Sequence, residues 1–304
     1  MIKVDHVTVK YGDFTAVDDI SFDIASGDIV AFLGPNGAGK TTTMRVLTGF
    51  MAPSAGDIFI DGMDLFENLR TIKTELGYLP EKPPLYPDLT VYEYLEFAGT
   101  LKGMKRDDLL KKRIAEIIEM TDLGDRRDTL IRFLSKGLKQ RVGIAQSIIN
   151  YPKVLVLDEP TVGLDPRQVV EIRALIRRLA KAENRTIILS THILAEANEI
   201  CEKTIIIKDG HIIAADSIDN LQKSHEEGIW VILRVARNEK ELIEVIKRNP
   251  QVIDARADGE RIVIQAKDMI QESVAEEAVR LKCGLLELSS KKASLEDVFL
   301  KLTN

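Results

Sequence analysis

From Ile29 onward, short β-branched apolar runs alternate with longer stretches whose apolar positions recur at helical spacing. The runs at 29–33, 56–60, 154–157, 186–189 and 204–207 are short and rich in β-branched residues, the mark of buried strands, and they predict the largely parallel sheet of an α/β domain. The opening differs. Residues 2–10 and 20–24, with Gly12 and Asp13 between them, read as an antiparallel lead-in. Helices are predicted at 41–49, 91–101, 106–120, 138–150 and 167–182. Thr90 and Glu93 have capping-box spacing, Pro166 suits a first helical turn, and Leu110, Ile114, Ile117 and Ile118 repeat at helix period. No strand pattern occurs between about residues 80 and 152, which predicts a helical subdomain, about 82–152, inserted in the sheet.

After Asp216 the texture changes. Strand-like 229–235, helix-like 239–248, strand-like 252–256 and 261–265, helix-like 269–282 and strand-like 285–288 follow in the order β-α-β-β-α-β, a ferredoxin-like α+β unit. A last helix follows, with Ser294 and Asp297 placed to cap it and Leu295, Val298, Phe299 and Leu302 on one apolar face. The expected division is an α/β domain at 1–220 and an accessory domain at 221–304.

Composition narrows the classes. The chain has 304 residues, 42 basic and 48 acidic side chains and a 45% hydrophobic fraction, so a disordered or fibrous chain is excluded. Its charges are spread without a basic block, so nucleic acid is not an expected partner. Charge interrupts the N-terminus at Lys3 and Asp5, and no apolar run approaches the roughly 18 residues of a membrane span, so the chain is expected in the cytoplasm. Cys201 and Cys283 lie far apart and in no CxxC, which leaves nothing for a disulfide framework or zinc site.

The chemistry begins at Gly34-Pro35-Asn36-Gly37-Ala38-Gly39-Lys40-Thr41, between an apolar strand and a helix, the context of a phosphate-binding loop. Its glycines let successive backbone N–H groups curl around an anion, and the helix start adds its positive dipole end. Lys40 is placed to reach β/γ-phosphates and Thr41 to ligate Mg²⁺. Asp158-Glu159 ends the apolar strand at 154–157, where open α/β sheets present ligands. Asp158 suits a metal water shell, and Glu159 suits proton abstraction from attacking water. The strand at 186–189 leads likewise to Ser190-Thr191-His192. Leu134-Ser135-Lys136-Gly137 opens a second apolar-faced helix and offers a hydroxyl and helix-end N–H groups to phosphate.

Phosphate loop, Leu134-Ser135-Lys136-Gly137, Asp158-Glu159, Gly163-Leu164-Asp165 and His192, in that order, resemble the ATP-binding subunit of an ABC transporter over about residues 2–215. The tail, ending Ser294-Leu295-Glu296-Asp297-Val298-Phe299, is similar to type-2 exporters of the gliding-motility and drug-resistance branches. The resemblance implies a P-loop NTPase cassette that binds and hydrolyses ATP with Mg²⁺, pairs with a second cassette, and drives export through a separate permease on the inner face of the membrane. It assigns adenine stacking to Tyr11 and nucleotide binding to Gly34, Asn36, Gly37, Ala38, Gly39, Lys40, Thr41 and Thr42. Asp158 takes the metal role with Thr41, and His192 the switch role; Asp165 addresses the opposite site, and Ser135 and Gly137 contact the γ-phosphate of the partner subunit. Two departures stand out. Lys136 and Leu138 replace the usual glycine and glutamine of the signature, and Glu81 stands where the family has glutamine. A carboxylate only accepts hydrogen bonds and is repelled by phosphate, which puts Glu81 in doubt as a metal ligand. Four of six tyrosines (78, 86, 92, 94) and four of ten prolines (80, 83, 84, 87) cluster around it. Such a loop suits either a contact surface or a local core, and the resemblance places permease docking there. The alternative reading is a soluble ATPase acting on ribosome or DNA. A GTPase is disfavoured because no Asn-Lys-x-Asp segment occurs.

Overall fold

The computed structural model describes residues 1–183, 185–224, 229–291 and 295–303. They form two compact units, Met1–Ser217 and Ile218–Asn304.

In the first unit, β1 (Ile2–Tyr11) and β2 (Phe14–Ile24) form the expected antiparallel hairpin. The adjacent central sheet holds β3 (Ile29–Leu33), β6 (Leu76–Leu79), β7 (Val154–Asp158), β8 (Thr186–Thr191), β9 (Lys203–Lys208) and β10 (His211–Ser217) in the order β10-β9-β3-β8-β7-β6. All its pairings are parallel except that of β10 with β9. Every residue of β7 and β8 is buried, as consecutive apolar positions require.

Residues 56–60 depart from the parallel expectation. As β4 (Ala55–Ile60) they pair antiparallel with β1, Val4 opposite Ile58 and Ile2 opposite Ile60, in a sheet ordered β2-β1-β4-β5 with β5 at Met63–Asp64. Asp57 interrupts the run, so only alternate residues, Ile58 and Ile60, are buried; period two belongs to a sheet with one covered face. Strand β6 lay outside the expected set. Its Gly77 carries no β-propensity, yet the carbonyl of Ser147 passes where any Cβ would sit.

Helix α1 (Lys40–Leu47) follows β3, and α2 (Leu69–Thr74) precedes β6. Between β6 and β7 the chain is helical: α3 (Val91–Leu101), α4 (Asp108–Met120) and α5 (Lys136–Ser147). The capping box on α3 is complete, with Glu93 N–H donating to Thr90 Oγ1 at 3.2 Å and Thr90 N–H to Glu93 Oε2 at 2.8 Å. Helix α4 starts at Asp108 rather than 106 because Asp107 Oδ1 accepts from the N–H groups of Leu109 and Leu110. Helix α5 starts two residues before the expected 138, capped by Ser135. Helices α6 (Pro166–Glu183) and α7 (Leu194–Ile200) follow β7 and β8.

The second unit begins with α8 (Ile218–Ser224). Its strands β11 (Ile229–Val235), β12 (Val252–Asp258), β13 (Arg261–Ala266) and β14 (Leu285–Lys291) pair antiparallel in the order β12-β13-β11-β14, the ferredoxin-like arrangement. Val231, Leu233, Ile262 and Ile264 pack under α9 (Glu239–Ile246) and α10 (Gln271–Arg280) through Leu242, Ile246, Val274 and Ala278. In α11 (Leu295–Thr303) Leu295 and Val298 are buried. Ser294, the expected cap, lies outside the described residues.

Candidate functional site

The loops that leave β3, β7 and β8 at their carboxyl ends converge on a cavity of about 460 Å³. Its wall includes Tyr11, Phe14, Asn36, Gly37, Gly39, Lys40, Thr41, Thr42, Glu81, Glu159 and His192. The loop from Gly34 to Gly39 turns into α1 through Gly39, whose φ of +108° and close approach to the Ala16 carbonyl, 2.7 Å from where a Cβ would lie, admit only glycine. Helix α1 has no acidic residue in its first turn, so its N-terminal partial charge is left for an anion. Ala38 is buried beneath the loop, and Gly34 and Pro35 offer their carbonyls to the Lys40 ammonium at 2.8 and 3.1 Å. Lys40 is only 6% exposed and lies 3.6 Å from Glu159 Oε1.

Asp158 closes the floor. Its Oδ1 accepts from Ser190 Oγ at 2.5 Å and Thr41 Oγ1 at 3.2 Å. Its Oδ2 is buried without a hydrogen-bond partner. Burial is the largest influence on this carboxyl and holds its pKa above the usual range, with Glu159 and Glu81 adding in the same sense against the two hydroxyl bonds. An orphaned carboxylate oxygen beside a threonine hydroxyl is an all-oxygen donor set that fits a hard divalent cation such as Mg²⁺.

Glu159 sits at φ +47°, a left-handed conformation that costs a side-chain-bearing residue about 1–2 kcal/mol. Ser190 holds it there, since the Glu159 N–H reaches both the Ser190 hydroxyl (3.0 Å) and carbonyl (3.1 Å). The turn aims the carboxylate back into the cavity, where both oxygens lie within 3.0 Å of His192 Nδ1. A carboxylate, an imidazole and an ammonium thus meet around one point.

Tyr11 stands at the rim, 44% exposed, with its hydroxyl 3.2 Å from Met51 Sδ. Glu81 lines this cavity and a second one of about 640 Å³, which also takes in Thr41, Arg45, Phe50, Tyr78, Lys102 and Asp158. Burial pushes Tyr78 up to about 12 and lowers the Lys102 pKa. In the tyrosine cluster Tyr94 is buried while Tyr86 is half exposed, stacked edge-on against Phe97 at 5.3 Å, so the segment is both local core and surface.

Ser135, Gly137 and Asp165 do not line the cavity that Lys40 and Glu159 share. They gather elsewhere in the unit. Ser135 caps α5, and Asp165 Oδ1 caps α6 through the N–H groups of Arg167 and Gln168. Gly137 faces the Gln168 amide so closely that a Cβ would lie 2.6 Å from its Cδ, and the Lys136 ammonium covers Gly163. Sequence reasoning did not find the roles of Ser190 or of Gln140, whose Nε2 donates to the Pro160 carbonyl at 2.8 Å beside the Glu159 turn. No spacing rule marks them, because each acts through a contact distant in sequence.

The profile of the ABC transporter family matches residues 17–162. The chain is 33% identical over 303 residues to the bacitracin transport ATP-binding protein BcrA of Bacillus licheniformis, covering 99% of this chain and 97% of that protein. It is 36% identical over 304 residues to the Nod factor export ATP-binding protein I of Rhizobium sp. (strain N33), covering 99% and 97%. Among solved structures, it resembles the dimeric post-hydrolysis state of the ATP-binding cassette MJ0796 bound to ADP and Pi, with a TM-score of 0.65 and 28% identity over 71% of this chain and 98% of that one.

Proposed function

The chain belongs to the ATP-binding proteins of ABC transporters and is an ATPase that powers a transporter; from that premise we propose how its residues divide the work, with whom it works, and in which direction. The soluble alternative acting on ribosome or DNA is set aside, since the chain matches transport proteins end to end. Lys40 and the N–H groups of the loop hold the β- and γ-phosphates, and Tyr11 stacks on adenine. Mg²⁺, held by Thr41 and Asp158, would neutralise charge on the phosphates. Glu159 takes the proton from the attacking water, and His192 orients that carboxylate and the γ-phosphate.

The observation that carries this reading is the meeting of Lys40, Glu159 and His192 at one cavity wall. Ser135, Gly137 and Asp165 belong, in this reading, to the site of a second subunit docked head to tail. No described helix is long and apolar enough to cross a membrane, and we assign the pathway to a separate permease seated on the second cavity, which places the protein on the inner face of the membrane. Transport outward is the direction implied by the Nod factor export relative. The second unit modulates or stabilises the dimer, so residues 1–217 alone should still bind ATP.

Sedimentation with Mg-ATP tests the assembly. Glu159→Gln should dimerise, and Ser135→Arg in that background should not, because a bulky side chain then fills the place of the partner's γ-phosphate. Equal dimerisation of the two variants would overturn the shared site.

A further inference from the structure

Glu196 on α7 is completely buried, in a unit whose other acidic side chains are mostly solvated. A carboxylate withdrawn from water persists only where hydrogen bonds and charge replace its hydration. Its partners are specific. Oε1 accepts from the hydroxyl of Thr161, two residues beyond Glu159, and Oε2 accepts from Thr191 Oγ1 at 2.7 Å, the residue immediately before His192. The guanidinium of Arg173 on α6 approaches Oε1 at 3.7 Å while pairing with Glu199 at 3.1 Å. The Thr191 oxygen is itself committed, since it also accepts from the Ile193 N–H at 3.0 Å.

We infer that Glu196 is a positioning residue that ties the Glu159 turn to the His192 turn through Thr161 and Thr191. The inference rests on the roles given above to Glu159 and His192. One carboxylate accepting hydrogen bonds from two hydroxyls fixes the separation of two loops that leave neighbouring strands, and Glu159 and His192 stand two and one residues, respectively, from the tie points. A glutamine would present one acceptor and one donor, so it could accept from one of the two hydroxyls and not from both. Gln140 steadies the same turn from α5 through the Pro160 carbonyl, so the Glu159 loop is held on both flanks.

Steady-state ATPase assays with thermal scans test this on the full chain. Thr161→Val and Thr191→Val remove one tie each, Thr161→Ser and Thr191→Ser keep it, and Glu196→Asp keeps the charge while shortening its reach by one methylene. The valine and aspartate variants should lose about ten- to a hundredfold in kcat with KM for ATP within about twofold of parent, since sub-ångström misplacement acts on the reacting geometry. The serine variants should stay within about twofold of parent. Parental kcat in the valine or aspartate variants, a loss that serine does not restore, or a KM that rises in step with the loss would each overturn the inference. Failure of the charge-retaining Glu196→Asp to fold would assign Glu196 to stability alone and overturn it likewise. Glu159→Gln is measured alongside: full turnover there removes the reading of Glu159, whereas its loss beside a fully active Thr161→Val removes only the role of Glu196.

Discussion

Replacing Glu159 with glutamine changes one oxygen for an amide nitrogen and should separate ATP binding from ATP turnover. The parent carboxylate lies 3.6 Å from the Lys40 ammonium and 2.9 Å from His192 Nδ1. At an effective dielectric of about 20, unit charges that close attract by roughly 4–5 kcal/mol before desolvation is subtracted. Lys40 is therefore shared between Glu159 and the carbonyls of Gly34 and Pro35, and an incoming γ-phosphate must face the carboxylate. Glutamine removes both the competitor for Lys40 and the repulsion, so ATP should bind as tightly as to the parent or more tightly. Glutamine cannot accept the proton of the attacking water. The loss expected for a general base is about 10²–10⁴-fold in kcat, equivalent to about 3–5 kcal/mol in the barrier. The assay pairs phosphate release at saturating Mg-ATP with equilibrium binding of a fluorescent ATP analogue. A kcat within about threefold of parent would remove Glu159 from the base role. Loss of binding together with turnover would show that the carboxylate organises Lys40 rather than the water.

Lys40→Ala should nearly abolish ATP binding in the same binding assay, and parental affinity would remove Lys40 from the phosphate-binding role. Gly39→Ala should also lose ATP binding, since its φ of +108° is strained for alanine and the new Cβ meets the Ala16 carbonyl; parental affinity would show that the loop relaxes freely. Thr90→Ala should cost about 1 kcal/mol through the lost cap and lower Tm by about 2–4 °C in a calorimetric scan, with ATP affinity unchanged. Tyr94 is pushed from 10.0 to about 12 by burial, so the unfolded chain releases this proton first and folded stability falls as pH rises from about 10 toward 12. Tyr94→Phe should therefore flatten the decline of denaturation midpoints over that window.

The reach of sequence and the contribution of tertiary structure separate cleanly at particular residues. Wherever the chemistry depends on neighbours in the chain, the residues alone determine it. The turn of the glycine-rich loop 34–39 into α1, the capping pair Thr90–Glu93, and the consecutive apolar residues of β7 and β8 are each legible because local backbone conformation and two-faced burial act over a few positions. The β-α-β-β-α-β order of the second unit is legible for the same reason, and right-handed twist and short connections leave its strands few ways to pair. Tertiary structure decided the rest. Gly77 lies in a strand because α5 passes against it, and residues 56–60 join an antiparallel sheet because β1 is there to receive them. Ser190 bridges Asp158 to the Glu159 turn, and Glu196 reaches Thr161 across 35 positions of sequence. Hydrogen bonds between side chains that distant are fixed by packing, and packing is a property of the whole core.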